Sequence, residues 1–82
     1  MADRVVATAN GWALASDGIQ WILMRRYTKR YRALAFVRTD KETLARCMRE
    51  TGVDARSMRY LLKGLPDTFD EFARRGTPPK PV

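Results

Sequence analysis

The sequence predicts an α+β fold: an antiparallel β-meander of three or four strands, followed by two or three helices packed on one face. Three observations carry this reading. Two tight-turn dipeptides, Asn10-Gly11 and Asp17-Gly18, punctuate β-prone runs near the start. Thr39-Asp40-Lys41-Glu42 then has the form of a capping box, the usual opening of a helix. Beyond it, apolar residues recur at helical spacing.

The elements follow in order. Arg4 to Ala9 is a short strand, and Asn10-Gly11 suits a type I′ turn, which needs positive φ at both positions. Trp12 to Ser16 is the return strand. Ile19 to Tyr27 is a longer third strand after Asp17-Gly18, and Thr28-Lys29-Arg30 turns the chain into a fourth, Tyr31 to Arg38. In the third strand Ile19, Trp21 and Leu23 alternate with Gln20, Ile22 and Met24, so both faces are apolar near its middle. In the fourth, Leu34 and Phe36 share a face with Arg32 and Arg38, and Tyr31, Ala33, Ala35 and Val37 share the other; alternation leaves both open to the helices, and side-chain volume favours the first.

At the capping box, the Thr39 hydroxyl is expected to accept from the amide of Glu42, opening a helix from Asp40 to about Thr51. Its apolar stripe is Leu44, Cys47 and Met48, and Gly52 ends it. Asp54 caps a second helix, Ala55 to Lys63, closed by Gly64-Leu65. Pro66 suits the first turn of a short third helix with Phe69 and Phe72 inward. The expected core joins Trp21, Leu23, Phe36, Leu44, Met48, Leu61, Leu62 and Phe69. Residues 1–75 read as one domain, and the Pro-rich residues 76–82 as a loose tail.

Composition narrows the function. Eighty-two residues give one domain burying roughly 60–65% of its unfolded surface, with little room for a deep pocket. Apolar residues at 45% and charged residues at 30% mark a folded chain rather than a disordered one. A formal net charge of +7 implies attraction to polyanions. The single cysteine, Cys47, excludes an internal disulfide, and the absence of histidine excludes Cys/His zinc sites. No apolar run approaches a membrane span, and Met1-Ala2-Asp3-Arg4 lacks the apolar stretch of a signal peptide. The expectation is a cytoplasmic protein with no membrane contact and no cofactor.

The sharpest functional signal lies between Arg25 and Arg38. Arg25, Arg26, Lys29, Arg30, Arg32 and Arg38 supply six positive charges, and no acid accompanies them. One-signed charge on a ribbon costs self-repulsion and does not help folding. Tyr27 and Tyr31 interleave with these cations; guanidinium forks suit phosphate or carboxylate, and aromatic faces suit bases or the guanidinium planes themselves. The competing reading is a solvated ribbon.

A second candidate is the helix pair from Leu44 to Lys63, read as a helix-turn-helix with Gly52 in its turn. Arg56, Arg59 and Lys63 then make a basic stripe on the second helix for nucleic acid. Against it, bulky Met48 falls where the motif prefers a small residue, and sheet rather than helix precedes it. Catalysis finds no support. The usual general base is missing with histidine, Asp67, Asp70 and Glu71 are the acids expected at a helix start, and Cys47 lies on an apolar stripe.

The run from Gly11 to Leu23 (GWALASDGIQWIL), then Phe36-Val37-Arg38-Thr39, Leu44 to Glu50 (LARCMRE) and Gly64 to Phe69 (GLPDTF), resembles a group of small uncharacterised proteins carried by phages and mobile elements of alphaproteobacteria. That setting also supplies anti-CRISPR inhibitors. The resemblance implies a host-takeover or defence-evasion role and carries no site residues. It implies a bacterial host cytoplasm, and for a basic inhibitor of a CRISPR complex the partner is an acidic patch of a Cas effector subunit, or exposed guide RNA or target DNA. Many anti-CRISPR proteins are acidic DNA mimics; this chain has the opposite charge. The two readings are thus a protein-docking inhibitor, with Arg25, Arg26, Tyr27, Lys29, Arg30, Tyr31, Arg32 and Arg38 as its site, and a nucleic-acid-binding regulator using the same ribbon or Arg56, Arg59 and Lys63.

Overall fold

The computed structural model describes residues 4–76. Four strands, β1 (Arg4–Ala9), β2 (Trp12–Ser16), β3 (Trp21–Tyr27) and β4 (Arg30–Val37), form one antiparallel sheet in sequence order. Three helices follow: α1 (Lys41–Thr51), α2 (Ala55–Leu62) and α3 (Phe69–Gly76). They cover one face of the sheet. This is the α+β meander-and-helices arrangement that the turn dipeptides and helical spacing predict. None of the helices is long and apolar enough to cross a membrane.

Asn10 and Gly11 both take positive φ, +51° and +86°, so the first hairpin closes as the dipeptide requires. The second connection differs from expectation. β3 starts at Trp21, not Ile19, and residues 17–20 form a four-residue loop. The Asp17 carboxylate organises it, accepting from the amides of Ile19 (3.0 Å) and Gln20 (3.2 Å) and from Gln20 Nε2 (3.0 Å). These bonds, the Ile19 amide foremost, hold its carboxyl below the usual value of 3.8. Ile19 is left 64% exposed.

The core is built where the strands are covered. Trp12 and Leu14 of β2, Trp21 and Leu23 of β3 and Val37 of β4 meet Leu44, Met48, Val53, Leu61, Leu65, Phe69 and Phe72. Trp21 is fully buried, with the Phe69 and Phe72 rings meeting it edge-on at 5.3 and 5.6 Å. Its Nε1 is buried and has no hydrogen-bond partner among the described residues.

Phe36 does not join this core, which corrects the choice made by volume. It is 59% exposed, while its neighbour Val37 is 4% exposed. The cause is a β-bulge. Leu23 pairs with Ala35 but Met24 pairs with Ala33, leaving Leu34 as an extra residue on β4. Ala35 and Val37 therefore face the helices, whereas Ala33 and Tyr31 face away. Simple alternation misassigns one half of the strand or the other. Leu62, also expected in the core, packs against it only half-buried.

The helix starts also shift. Asp40, not Thr39, caps α1, its carboxylate accepting from the Thr43 amide at 2.8 Å. Thr39 is engaged elsewhere: its carbonyl accepts from the Phe69 amide (3.0 Å), and the Lys41 amide donates to the Asp67 carbonyl (2.7 Å). This short antiparallel bridge ties the start of α1 to the start of α3. Asp54 caps α2 as expected, accepting from the Ser57 amide at 3.0 Å, and α2 ends at Leu62 with Lys63 as its C-cap. Thr68, not Pro66, opens α3, its hydroxyl accepting from the Glu71 amide and its carbonyl from that of Phe72. Of the expected tail, Gly76 closes α3, and 77–82 lie outside the described residues.

Candidate functional site: the distal half of the basic ribbon

β3 changes character along its length. Trp21, Ile22 and Leu23 are buried, Met24 is half-buried, and Arg25, Arg26 and Tyr27 are exposed. On β4, Arg30 through Leu34 are exposed. The distal half of the β3–β4 hairpin is thus exposed, and beyond Arg25, where pairing with β2 ends at Trp12, it runs on as a two-stranded ribbon.

The pairing divides the expected site residues between two faces. Arg25 lies opposite Arg32, and Tyr27 opposite Arg30. Regular alternation along β3 places Arg25 and Tyr27 on the helix-side face, with Trp21 and Leu23. Arg26 lies opposite Tyr31 on the other face. Lys29 sits in the turn with Thr28, whose φ of +52° is rare for a β-branched residue. Arg26 Nε donates to the Thr28 carbonyl at 3.1 Å, so one arginine of the outer face is tied to the turn it precedes.

Arg38 is not brought to this group. It follows the end of β4, eight residues from Arg30, which at strand rise is about 26 Å away. The structure gathers Arg25, Arg26, Tyr27, Lys29, Arg30, Tyr31 and Arg32 at one end of the ribbon and leaves Arg38 at the other.

On the helix-side face the guanidinium groups are stacked. Arg25 Cζ lies 4.8 Å from the Trp12 ring centroid, and Arg32 Cζ lies 5.8 Å from that of Tyr27. Such stacking orients a guanidinium plane without neutralising it. Trp12 is the functional-site residue that the sequence reading missed. The signal was the register of the β2–β3 hairpin closed by residues 17–20, which sets Trp12 directly opposite Arg25. Among the described residues, the ion pairs are Lys41 with Asp67 and Arg75 with Glu71. None of the ribbon cations has an acidic partner there.

The second candidate is partly assembled. Arg56, Arg59 and Lys63 are all exposed along α2, whose opposite side buries Ser57 and Leu61. Arg56 also lines a groove of about 220 Å³ with Thr8, Ala9, Asn10, Ser57 and Tyr60. That is small for a ligand pocket. α2 lies on β1, so the layer beneath the helix pair is sheet rather than the third helix of a helix-turn-helix domain. Cys47 is half-buried, and no group of three potential metal-ligating side chains occurs among the described residues. Comparison with family models, with curated proteins and with solved structures finds no match for the chain.

Proposed function

We propose that this chain is a non-enzymatic interaction protein that docks on an acidic surface of a larger protein through the distal β3–β4 ribbon. One observation carries this reading: the ribbon collects five cations, Arg25, Arg26, Lys29, Arg30 and Arg32, on exposed backbone with no acid among the described residues to pair them. Like charges placed opposite each other across a ladder destabilise it, and an acidic partner removes that cost. The resemblance to phage and mobile-element proteins extends the reading to an anti-CRISPR inhibitor, with an acidic patch of a Cas effector subunit as the docking surface and blocked target-DNA binding as the outcome.

The second reading is a nucleic-acid-binding regulator, favoured by the exposure of Arg56, Arg59 and Lys63 along one side of α2. The test compares wild type with a ribbon triple, Arg25→Glu, Arg26→Glu and Arg30→Glu, and with an equal-charge helix triple, Arg56→Glu, Arg59→Glu and Lys63→Glu. Each is measured for inhibition of purified CRISPR effectors, for capture of acidic proteins from bacterial lysate and for retention on duplex DNA across a salt series. Docking through the ribbon requires that the ribbon triple abolish inhibition and capture while the helix triple leaves them intact. DNA binding instead gives a steep salt slope, about −0.9 per neutralised phosphate, removed by the helix triple. Equal loss in both triples, mimicked by added salt, would mean that net charge alone matters and would remove the ribbon site.

A further inference from the structure

We infer that Arg25 and Arg32 together form a seat for one carboxylate of the docking partner, with Trp12 and Tyr27 as the residues that position it. The inference rests on the proposed docking role and gives it a chemistry. Three observations converge on the pair. The two arginines are direct cross-strand partners on the helix-side face, which sets their Cβ atoms about 5 Å apart. Each guanidinium lies over an aromatic ring, Arg25 over Trp12 and Arg32 over Tyr27. Neither has an ion-pair partner among the described residues.

Two side chains of like charge at that spacing ordinarily splay apart. Here each plane is held by a ring, that of Arg25 by Trp12 on β2 and that of Arg32 by Tyr27 on β3. A carboxylate between them can accept from both forks, the planar geometry for which arginine is suited and lysine is not. The occupied rings also decide the class of partner. Trp12 is 5% exposed, and its face is taken by Arg25. The Tyr27 ring is taken by Arg32. Trp12 therefore offers no free face for the base stacking by which single-stranded nucleic acid is held, and the Tyr27 ring, 46% exposed, has one face covered. What this face presents outward is guanidinium, which favours a protein carboxylate over a base-stacked strand.

The experiment exchanges fork for point charge without changing net charge. The full chain, the pair Arg25→Lys with Arg32→Lys, and the control pair Arg46→Lys with Arg49→Lys, exposed on α1 away from the ribbon, are titrated by anisotropy against a labelled polyglutamate peptide and a labelled oligodeoxythymidine. The seat predicts roughly tenfold weaker polyglutamate binding for the first pair, the worth of one lost charge-assisted hydrogen bond. The control pair stays near wild type, and all three proteins bind oligodeoxythymidine alike. In wild type, the Arg25 and Arg32 Nε–H resonances shift together on adding polyglutamate, a readout that needs no variant. Unchanged polyglutamate binding by the first pair, or shifts confined to Arg26 and Arg30, would overturn the seat. The ribbon reading would still stand if the glutamate triple loses its partner. Selective loss of oligodeoxythymidine by the first pair would overturn the carboxylate assignment in favour of phosphate.

Discussion

Phe36 and Val37 are adjacent and both apolar, and the bulge at Leu34 predicts that they differ in worth to stability in the order opposite to their size. Val37→Ala removes two methyl groups from a side chain that lies opposite Trp21 and is 4% exposed. At about 0.8 kcal/mol per buried methylene, plus a cavity contribution, the loss is about 2 kcal/mol. Phe36 is 59% exposed, so about two-fifths of its surface is covered. Full burial of a phenylalanine is worth roughly 1.5–3 kcal/mol, so Phe36→Ala costs about 1 kcal/mol. Both variants place alanine on the same strand, so loss of β-propensity largely cancels between them. Urea unfolding followed by far-UV circular dichroism separates the two. With a slope near 1 kcal/mol per molar for so small a chain, the midpoint falls by about 2 M for Val37→Ala and about 1 M for Phe36→Ala. Were Phe36 in the core, its truncation would cost about 3–5 kcal/mol. A larger midpoint shift for Phe36→Ala than for Val37→Ala would refute the bulged register and, with it, the face assigned to Arg32.

Further outcomes follow from the same packing. Leu61 is 1% exposed at the centre of the helix layer, and Leu61→Ala should cost about 2–5 kcal/mol; a midpoint shift worth under ~1 kcal/mol would remove it from the core. Thr28→Asn places a residue that tolerates positive φ where threonine sits at +52°, and should raise stability by about 1 kcal/mol, with a lowered melting temperature as the contrary result. The ribbon glutamate triple should leave the melting curve unchanged or raised, because it relieves repulsion at exposed positions. Asp17, Asp40 and Asp54 all have carboxyls held below 3.8: Asp17 mainly by the Ile19 amide, Asp40 by the Thr43 hydroxyl and amide, Asp54 by the Ser57 amide and hydroxyl. A depressed folded-state value means that the unfolded chain binds protons first. Their contribution is present above about pH 4 and is lost as pH falls below it, and replacing all three by Asn should flatten that acid limb in a melting series.

The strand-then-helix order was legible because it rests on short-range chemistry. Asn10-Gly11 can satisfy two positive φ angles, and Leu44, Met48, Leu61, Phe69 and Phe72 recur at spacings that put each on a buried side. What was not legible depends on partners far along the chain. Thr39 has the chemistry of a cap, but the Phe69 amide claims its carbonyl, and Asp40 takes the role. An aspartate carboxylate, not a two-residue turn, shapes the 17–20 loop. The bulge leaves no mark in composition, since Ala33, Leu34 and Ala35 read as ordinary strand. The candidate site was half visible. Its charges stand out as a run without acids. Their division between two faces, the distance of Arg38 and the ring beneath Arg25 all come from register.

The extra residue at Leu34 also sets which kinds of mutation can change what the ribbon meets. β4 is in effect two strands of opposite phase joined at one position, the inner half answering to the core and the outer half to solvent. Substitutions at residues 30–33 recode the surface without touching Val37 or Trp21, so this stretch can drift quickly under selection for a new partner. Deleting one residue at the bulge is a different event. It removes the irregularity and leaves the pairing in place, Ala33 opposite Met24 and Arg32 opposite Arg25, so Arg30 and Arg32 keep their side. For a lineage of such chains, composition at residues 30–33, more than length at the bulge, would mark the boundary between one binding specificity and another.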